Sequence, residues 1–214
     1  MNAYLDFASF AFVVLFFIID PLGNVPIFLS ITQRDTPSER KRIVTKATIA
    51  AFCILSFFLI AGDAVLQVFH VSVGAFRIAG GIIIFIISLQ MLFHLNPGQK
   101  TSPQEQQEAV EKEDVSLFPL AIPLLSGPGA IAAIIMLRSS AETLFDVGVL
   151  FAVLVVLAAL TYGILRLSEY LMKWLGQTGV SMVTRLMGLI LSVISVQFVI
   201  DGIKDILPDV LQVV

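Results

Sequence analysis

The chain has 214 residues, 57% of them hydrophobic and only 14% charged, with a mean hydropathy of +0.96 and a net charge of −3. This composition excludes an ordinary soluble domain, and the lack of a basic stripe excludes nucleic acid as a partner. A single cysteine, Cys53, excludes an internal disulfide.

Six apolar runs occupy 7–31, 48–69, 74–95, 117–137, 147–167 and 181–203. Each is close to the roughly 20 residues a helix needs to cross the hydrocarbon. They predict an all-α membrane protein of six transmembrane helices in contact with the lipid bilayer; the strict alternation of a barrel strand is absent. No Lys or Arg precedes the first run and no small-residue cleavage site follows it, so it reads as a retained helix and not a signal peptide.

The first run contains "DPLGNVP", which places Asp20, Pro21, Gly23, Asn24 and Pro26 in the middle of an apolar stretch. An acid at bilayer depth costs about 2.5–3.5 kcal/mol on insertion scales, and a helix-interior proline removes a backbone hydrogen bond that lipid cannot replace. Asp20 followed by Pro21 has the chemistry of a helix start, an acceptor side chain at the N-cap with proline at the first helical position. The basic loop after this run carries Arg34, Arg40, Lys41, Arg42 and Lys46. The second run holds Cys53 and ends near Asp63; the third begins at Arg77 and contains Gly80, Gly81, Ser88, Gln90 and His94. Gly80 and Gly81 mark close helix packing.

Residues 96–116 have a net charge of −3, with Glu105, Glu108, Glu111, Glu113 and Asp114 against Lys100 and Lys112, and read as a solvated linker. The fourth run contains "SGPG", where Ser126, Gly127, Pro128 and Gly129 repeat the helix-start chemistry. The fifth is followed by Arg166 and Lys173, and the sixth holds Arg185, Gly188, Ser195, Gln197 and Asp201.

Aligning Gly81 with Gly188 aligns Ser88 with Ser195 and Gln90 with Gln197 without a gap. The chain therefore divides into a three-helix repeat at 1–95, a cytoplasmic linker at 96–116 and a second three-helix repeat at 117–214. A repeat with an odd number of crossings re-enters the membrane from the opposite face. The predicted architecture is two inverted repeats with the first and fourth helices interrupted, a transporter pattern. Loops one, three and five carry nine basic residues and the opposite side two, Arg138 and Lys204, which places both termini in the periplasm.

If the two helices break, each second half begins near mid-membrane with free N–H groups and a positive dipole end pointing inward, a site suited to an anionic group. Asp20 then binds a substrate ammonium, coordinates a cation such as Na+, or carries H+. Gln90 and Gln197 either line the path or join helices by hydrogen bonds. Arg77 and Arg185 read first as interfacial anchors or partners of a buried acid, and second as residues lining the path. His94 and Asp201 fall near helix ends and read as solvated. No nucleophile elbow, phosphate loop or His-Glu-x-x-His motif is present, and two histidines make a poor metal site, so the chain reads as a non-enzyme without a cofactor.

"DPLGNVPIF", "PLAIPLLSGPGAI" and "RLMGLILSVISVQFVIDGI" together resemble the MarC family of bacterial inner-membrane proteins, over nearly the full length outside the linker. The resemblance implies six helices in the cytoplasmic membrane and kinship with small neutral amino acid transporters, for which glycine and alanine are the expected substrates. Its signature positions fall here on Asp20, Pro21, Gly23, Asn24 and Pro26, and on Ser126, Gly127, Pro128 and Gly129. The expected function is a secondary transporter of small neutral amino acids driven by H+ or Na+. The competing class is a translocase of a lipid carrier or amphiphile, or a non-transporting membrane factor in envelope homeostasis. The oligomeric state is not legible in the sequence.

Overall fold

The computed structural model describes residues 2–93, 116–141 and 143–211. In chain order its helices are α1 (Asn2–Ile19), α2 (Asn24–Ile31), α3 (Pro37–Val68), α4 (Val73–Phe93), α5 (Pro128–Ser139), α6 (Leu144–Arg166) and α7 (Ser168–Leu211), with an irregular segment, Ser116–Leu125, ahead of α5. Among the described residues five spans are long and apolar enough to cross a membrane, with α1 and α2 counted as one interrupted span. There are six if Ser116–Leu125 and α5, which meet at 53°, make another.

The helices start where the chain supplies caps. The Thr36 side chain accepts from the Glu39 N–H while the Glu39 carboxylate accepts from the Thr36 N–H, with Pro37 in the first turn; Thr143 and Asp146 build the same reciprocal box ahead of α6. This box starts α3 well before the apolar run at 48, so Arg40, Lys41, Arg42 and Lys46 lie on its first turns and not in a loop. The fifth loop is likewise reduced to a turn at Leu167. Residues 168–175 are helical, and Gly176, at φ 64° and ψ 175°, separates them from the long apolar part of α7. Only glycine adopts that backbone conformation readily.

The core lies around α5, whose residues from Ala132 to Leu137 are all buried and which packs against α1, α3, α4 and α6. The outer helices keep apolar rows exposed: Ile49, Phe57 and Ile60 on α3, Ile82 and Ile86 on α4, Val155 and Val156 on α6, and Val193 and Val196 on α7. Such rows suit lipid and not water.

The most extensive pairing joins α4 and α7, which run antiparallel. A Cβ built on Gly81 would sit 2.9 Å from the Ser195 carbonyl oxygen, and one on Gly188 would sit 2.9 Å from the Ser88 carbonyl oxygen. Gly74 and Gly202 meet in the same way further along. Small residues at seven-residue intervals, 74, 81 and 88 against 188, 195 and 202, let the two backbones touch.

Charges gather at the two ends of the bundle. At one end Arg40 pairs with Glu169, and its Nε donates to the Thr32 carbonyl at 2.9 Å. At the other, Arg77 pairs with Asp205 at 2.7 Å and donates to the Ser140 hydroxyl at 2.9 Å, and Arg138 pairs with Asp63 at 3.0 Å. Loops one and five therefore share an end, opposite the one where α3, α5 and α7 finish. Nearly all of the linker, and His94, lie outside the described residues.

Candidate functional site

Asp20 sits at the first break in a left-handed backbone conformation, φ 49°, which Asp and Asn tolerate better than other side chains. Its side chain is buried, and its Oδ1 accepts the Gly23 N–H at 2.9 Å while its carbonyl accepts the Asn24 N–H at 3.0 Å. Asp20 therefore caps the turn Pro21–Gly23 and not α2 itself, whose N-cap is Gly23 with no side-chain hydrogen bond, so the helix start expected at Asp20–Pro21 falls later, at Asn24. Gly23 is required here: a Cβ would lie 2.1 Å from the Asp20 Oδ2. Asn24 serves the helix behind the break, for its buried Nδ2 donates to the Ile19 carbonyl at 2.8 Å, one of the carbonyls that the end of α1 leaves without a helical partner. Pro26 falls in the first turn of α2, where its missing N–H costs nothing.

The second break extends further than "SGPG". Phe118 and Ile122, each preceding a proline, are extended, at φ −131° and −125°, and the Phe118–Pro119 and Ile122–Pro123 peptides are cis. Proline disfavours the helical conformation in the residue before it, so two prolines four apart keep Ser116–Leu125 from being a regular helix. Ser126 then plays the part of Asn24: its N–H and its hydroxyl both donate to the Ala121 carbonyl, at 3.0 and 2.9 Å. Both breaks thus place a polar side chain on the carbonyl five residues back.

Gly127 is the N-cap of α5 with Pro128 next, and no side chain caps this end. The first helical hydrogen bond is from Ile131 N–H to the Gly127 carbonyl at 3.1 Å, so the N–H groups of Gly129 and Ala130 have no acceptor inside the helix. A cavity of about 340 Å³ lies against this turn. Gly127, Pro128, Gly129 and Ala130 form one wall, Gln90 supplies a polar side chain, and Ile18, Ile83, Ile86, Ile87, Pro123 and Leu124 complete it. A Cβ on Gly129 would lie 2.4 Å from Ile87 Cδ1 and 3.4 Å from Ile18 Cγ2, so α1, just before its break, reaches the start of α5.

The structure therefore brings Gly127, Pro128, Gly129 and Gln90 into one cavity, and Asp20, Pro21, Gly23 and Asn24 into one local network that does not line it. It does not bring Gln197, Arg77 or Arg185 there. Gln197 is exposed and donates to Asp201 at 2.8 Å, Arg77 is engaged at the end of the bundle, and Arg185 is exposed on α7. The two glutamines align in the sequence but face different surroundings, because α4 and α7 have different outer neighbours. Sequence reasoning missed Pro119 and Pro123, whose spacing inside an apolar run was the available signal. It also missed the isoleucines of the cavity wall, which carry no signal in a single sequence.

A model of the MarC family of integral membrane proteins matches residues 5–207. The chain belongs to the MarC family. Among curated relatives, the UPF0056 membrane protein YhcE of Escherichia coli is 33% identical over 99% of this chain and all of its own length. A UPF0056 membrane protein of Archaeoglobus fulgidus is 39% identical over 94% of each chain. YvbG of Bacillus subtilis is 37% identical over 95% of this chain and 97% of its own. No solved structure matches. In this MarC-family protein the matched region includes both backbone breaks and the α4–α7 seam. It is a multi-pass membrane protein by family and by its long apolar helices.

Proposed function

We propose that this MarC-family protein is a secondary transporter of small neutral amino acids of the glycine and alanine class, a carrier and not an enzyme, with H+ or Na+ as coupling ion. The observation that carries this reading is the cavity of about 340 Å³ set against the uncapped first turn of α5. Free backbone N–H groups at a helix start, reinforced by the helix dipole, suit a carboxylate. Gly129 keeps that turn bare of side chains, and Gln90 offers a second polar contact. The volume, near the lower end of the roughly 300–1,000 Å³ typical of ligand pockets, has room for a small zwitterion. Asp20, one helix away at the matching break, is the acid that answers a proton or cation during coupling.

Support for an inverted-repeat transporter comes from reciprocity. Gly81 meets Ser195 as Gly188 meets Ser88, and the Ser88 and Ser195 hydroxyls each bond the carbonyl three residues back. The Thr36–Glu39 box matches the Thr143–Asp146 box. Every one of these correspondences has the same separation of 107 residues, 36 to 143, 39 to 146, 81 to 188 and 88 to 195. Together with the antiparallel α4–α7 pair, this is what an odd-numbered duplicated unit produces. The basic end, with Arg40, Lys41, Arg166 and Lys173, faces the cytoplasm in this reading, and both termini face the periplasm. Active alkaline phosphatase fused after Val214, and inactive phosphatase fused within 104–112, is the expected result; the reverse pattern overturns the orientation.

The deciding experiment is uptake of labelled glycine and alanine into proteoliposomes under imposed H+ and Na+ gradients, wild type against Gln90→Leu. Gradient-dependent accumulation weakened in the variant supports the proposal; no uptake under either gradient rejects it. One observation favours translocation of an amphiphile instead. Ile83 and Ile86, on the cavity wall, are 40% and 50% exposed on the lipid-facing side of α4, so the cavity borders lipid. Movement of a labelled lipid between leaflets in the same vesicles, without amino acid uptake, is the outcome that selects that reading.

A further inference from the structure

A second cavity, of about 410 Å³, lies at the basic end between the start of α3 and the α6–α7 junction. Four cations line it, Arg40 and Lys41 from α3, Arg166 from α6 and Lys173 from α7, against one carboxylate, Glu169. Glu169 is already engaged by Arg40. Among the described residues Lys41, Arg166 and Lys173 have no carboxylate partner. We infer that this cavity binds the phosphoryl headgroup of an anionic lipid from the leaflet on that side.

Three cations with no carboxylate partner among the described residues repel one another around one concave space unless an anion joins them, and the phosphoryl headgroup of a lipid with net negative charge is an anion that a bilayer surface presents. The rim has the chemistry of a lipid site. Leu167 and Tyr170 line the cavity while 58% and 69% exposed, and Trp174, one turn beyond Tyr170, is 77% exposed. Aromatic rings beside basic side chains are the usual furniture of the headgroup level. The positive-inside tendency explains why cations lie at this end. It does not explain why four of them surround a cavity while Arg34 and Arg42, on the same end, lie outside its lining.

Arg40 gives occupancy a route to the broken helix. Its Nε holds the carbonyl of Thr32, the residue that terminates α2, while its Nη1 holds Glu169 on α7. A phosphate arriving beside Arg40 competes with Glu169, so binding at the surface loosens the tie between α7 and the end of α2.

The test is thermal unfolding of the full-length protein in a neutral detergent, titrated with short-chain phosphatidylglycerol, phosphatidylcholine or soluble glycerol phosphate. Phosphatidylglycerol is expected to raise the midpoint, phosphatidylcholine not. Lys41→Gln/Lys173→Gln should weaken the phosphatidylglycerol response at least tenfold, since each basic residue near a surface contributes appreciably to anionic-lipid attraction. Arg34→Gln/Arg42→Gln removes the same charge from the same end and should leave the response unchanged. Equal weakening by both double variants would show diffuse attraction and overturn the site. Stabilisation by glycerol phosphate at the same concentrations as the lipid would assign the cavity to a soluble phosphate and overturn the lipid. No response to any titrant, with the Lys41/Lys173 variant less stable on its own, would show that the protein's own carboxylates satisfy the cations and also overturn it. None of these readings depends on amino acid uptake.

Discussion

Adding one methyl group at Gly127 and at Gly129, two residues apart, should have different consequences. At Gly127 the new Cβ lies 2.4 Å from the Pro123 carbonyl oxygen, a backbone atom held between Pro123 and the Ser126–Ala121 bonds. Nothing there can rotate away, so the backbone of the break must shift, at the about 1–3 kcal/mol typical of an overpacked site. At Gly129 the Cβ lies 2.4 Å from Ile87 Cδ1, the far end of a side chain on a cavity wall. Moving it off its preferred rotamer costs about 0.5–1.5 kcal/mol, and replacing a helical glycine by alanine returns about 0.5–1 kcal/mol. The net effect on stability should be within about 1 kcal/mol of zero. Reversible unfolding in mixed micelles, followed by fluorescence of the lone Trp174, measures both variants. Gly127→Ala should be clearly destabilised and Gly129→Ala near wild type, with the latter losing uptake because Ile87 and the new methyl shrink the cavity. A Gly127→Ala variant as stable as wild type would refute the steric account of the second break. A Gly129→Ala variant with undiminished uptake would remove the cavity from the transport path.

Asp20→Asn should fold normally, since Asn accepts the Gly23 N–H and tolerates a φ of 49° as well as Asp does. Asp20→Ala should lose about 1–3 kcal/mol from the missing cap and the left-handed backbone. Gradient-driven uptake should be lost in both, and wild-type H+ and Na+ dependence in Asp20→Asn would return Asp20 to a purely capping role. Gly81→Ala and Gly188→Ala should each destabilise by a similar about 1–3 kcal/mol, because each new Cβ meets a backbone carbonyl across the seam; values that differ widely in micelle unfolding would argue against equivalent contacts. Asp35, in the first loop, has its carboxyl pushed above the usual aspartate range, first by burial and then by Glu39, with Arg40 opposing. A raised value means the folded state favours the protonated acid, so stability from Asp35 is present below the unfolded aspartate range and fades as pH rises through the folded one. Asp35→Asn should therefore give a small rise in melting temperature at pH 7 and none at pH 3; a larger gain at pH 3 would reverse the sign.

The membrane class, both interruptions and the packing role of Gly80 and Gly81 were legible in the sequence because each rests on a local rule: apolar run length, proline chemistry, and the absence of a side chain. The start of α3 was equally local but masked by composition, since Thr36-Pro37-Ser38-Glu39 is a capping box whose helix begins among charged residues before the apolar run. Pro119 and Pro123 show the limit of reading a break from its most visible motif, for they disrupt the backbone over ten residues ahead of Gly127. The fate of Gln197 shows a different limit. It aligns with Gln90, yet which face of a helix borders a cavity depends on distant neighbours, such as Ile18 and Leu124 beside Gln90. The basic cavity is hidden for the same reason, as its lining comes from segments more than 100 residues apart.

The seam between α4 and α7 sets where this protein can move. Two helices in contact through side chains slide by exchanging rotamers, each step small. Where glycine lies on a carbonyl there is no rotamer to exchange, so Gly81 on Ser195 and Gly188 on Ser88 lock the register from both directions. The pair acts as a keel. Any rearrangement of the bundle must then be taken up elsewhere, at Asp20–Gly23 and Ser126–Gly127, where the chain has already given up its helical bonds and satisfies them with side chains that can let go.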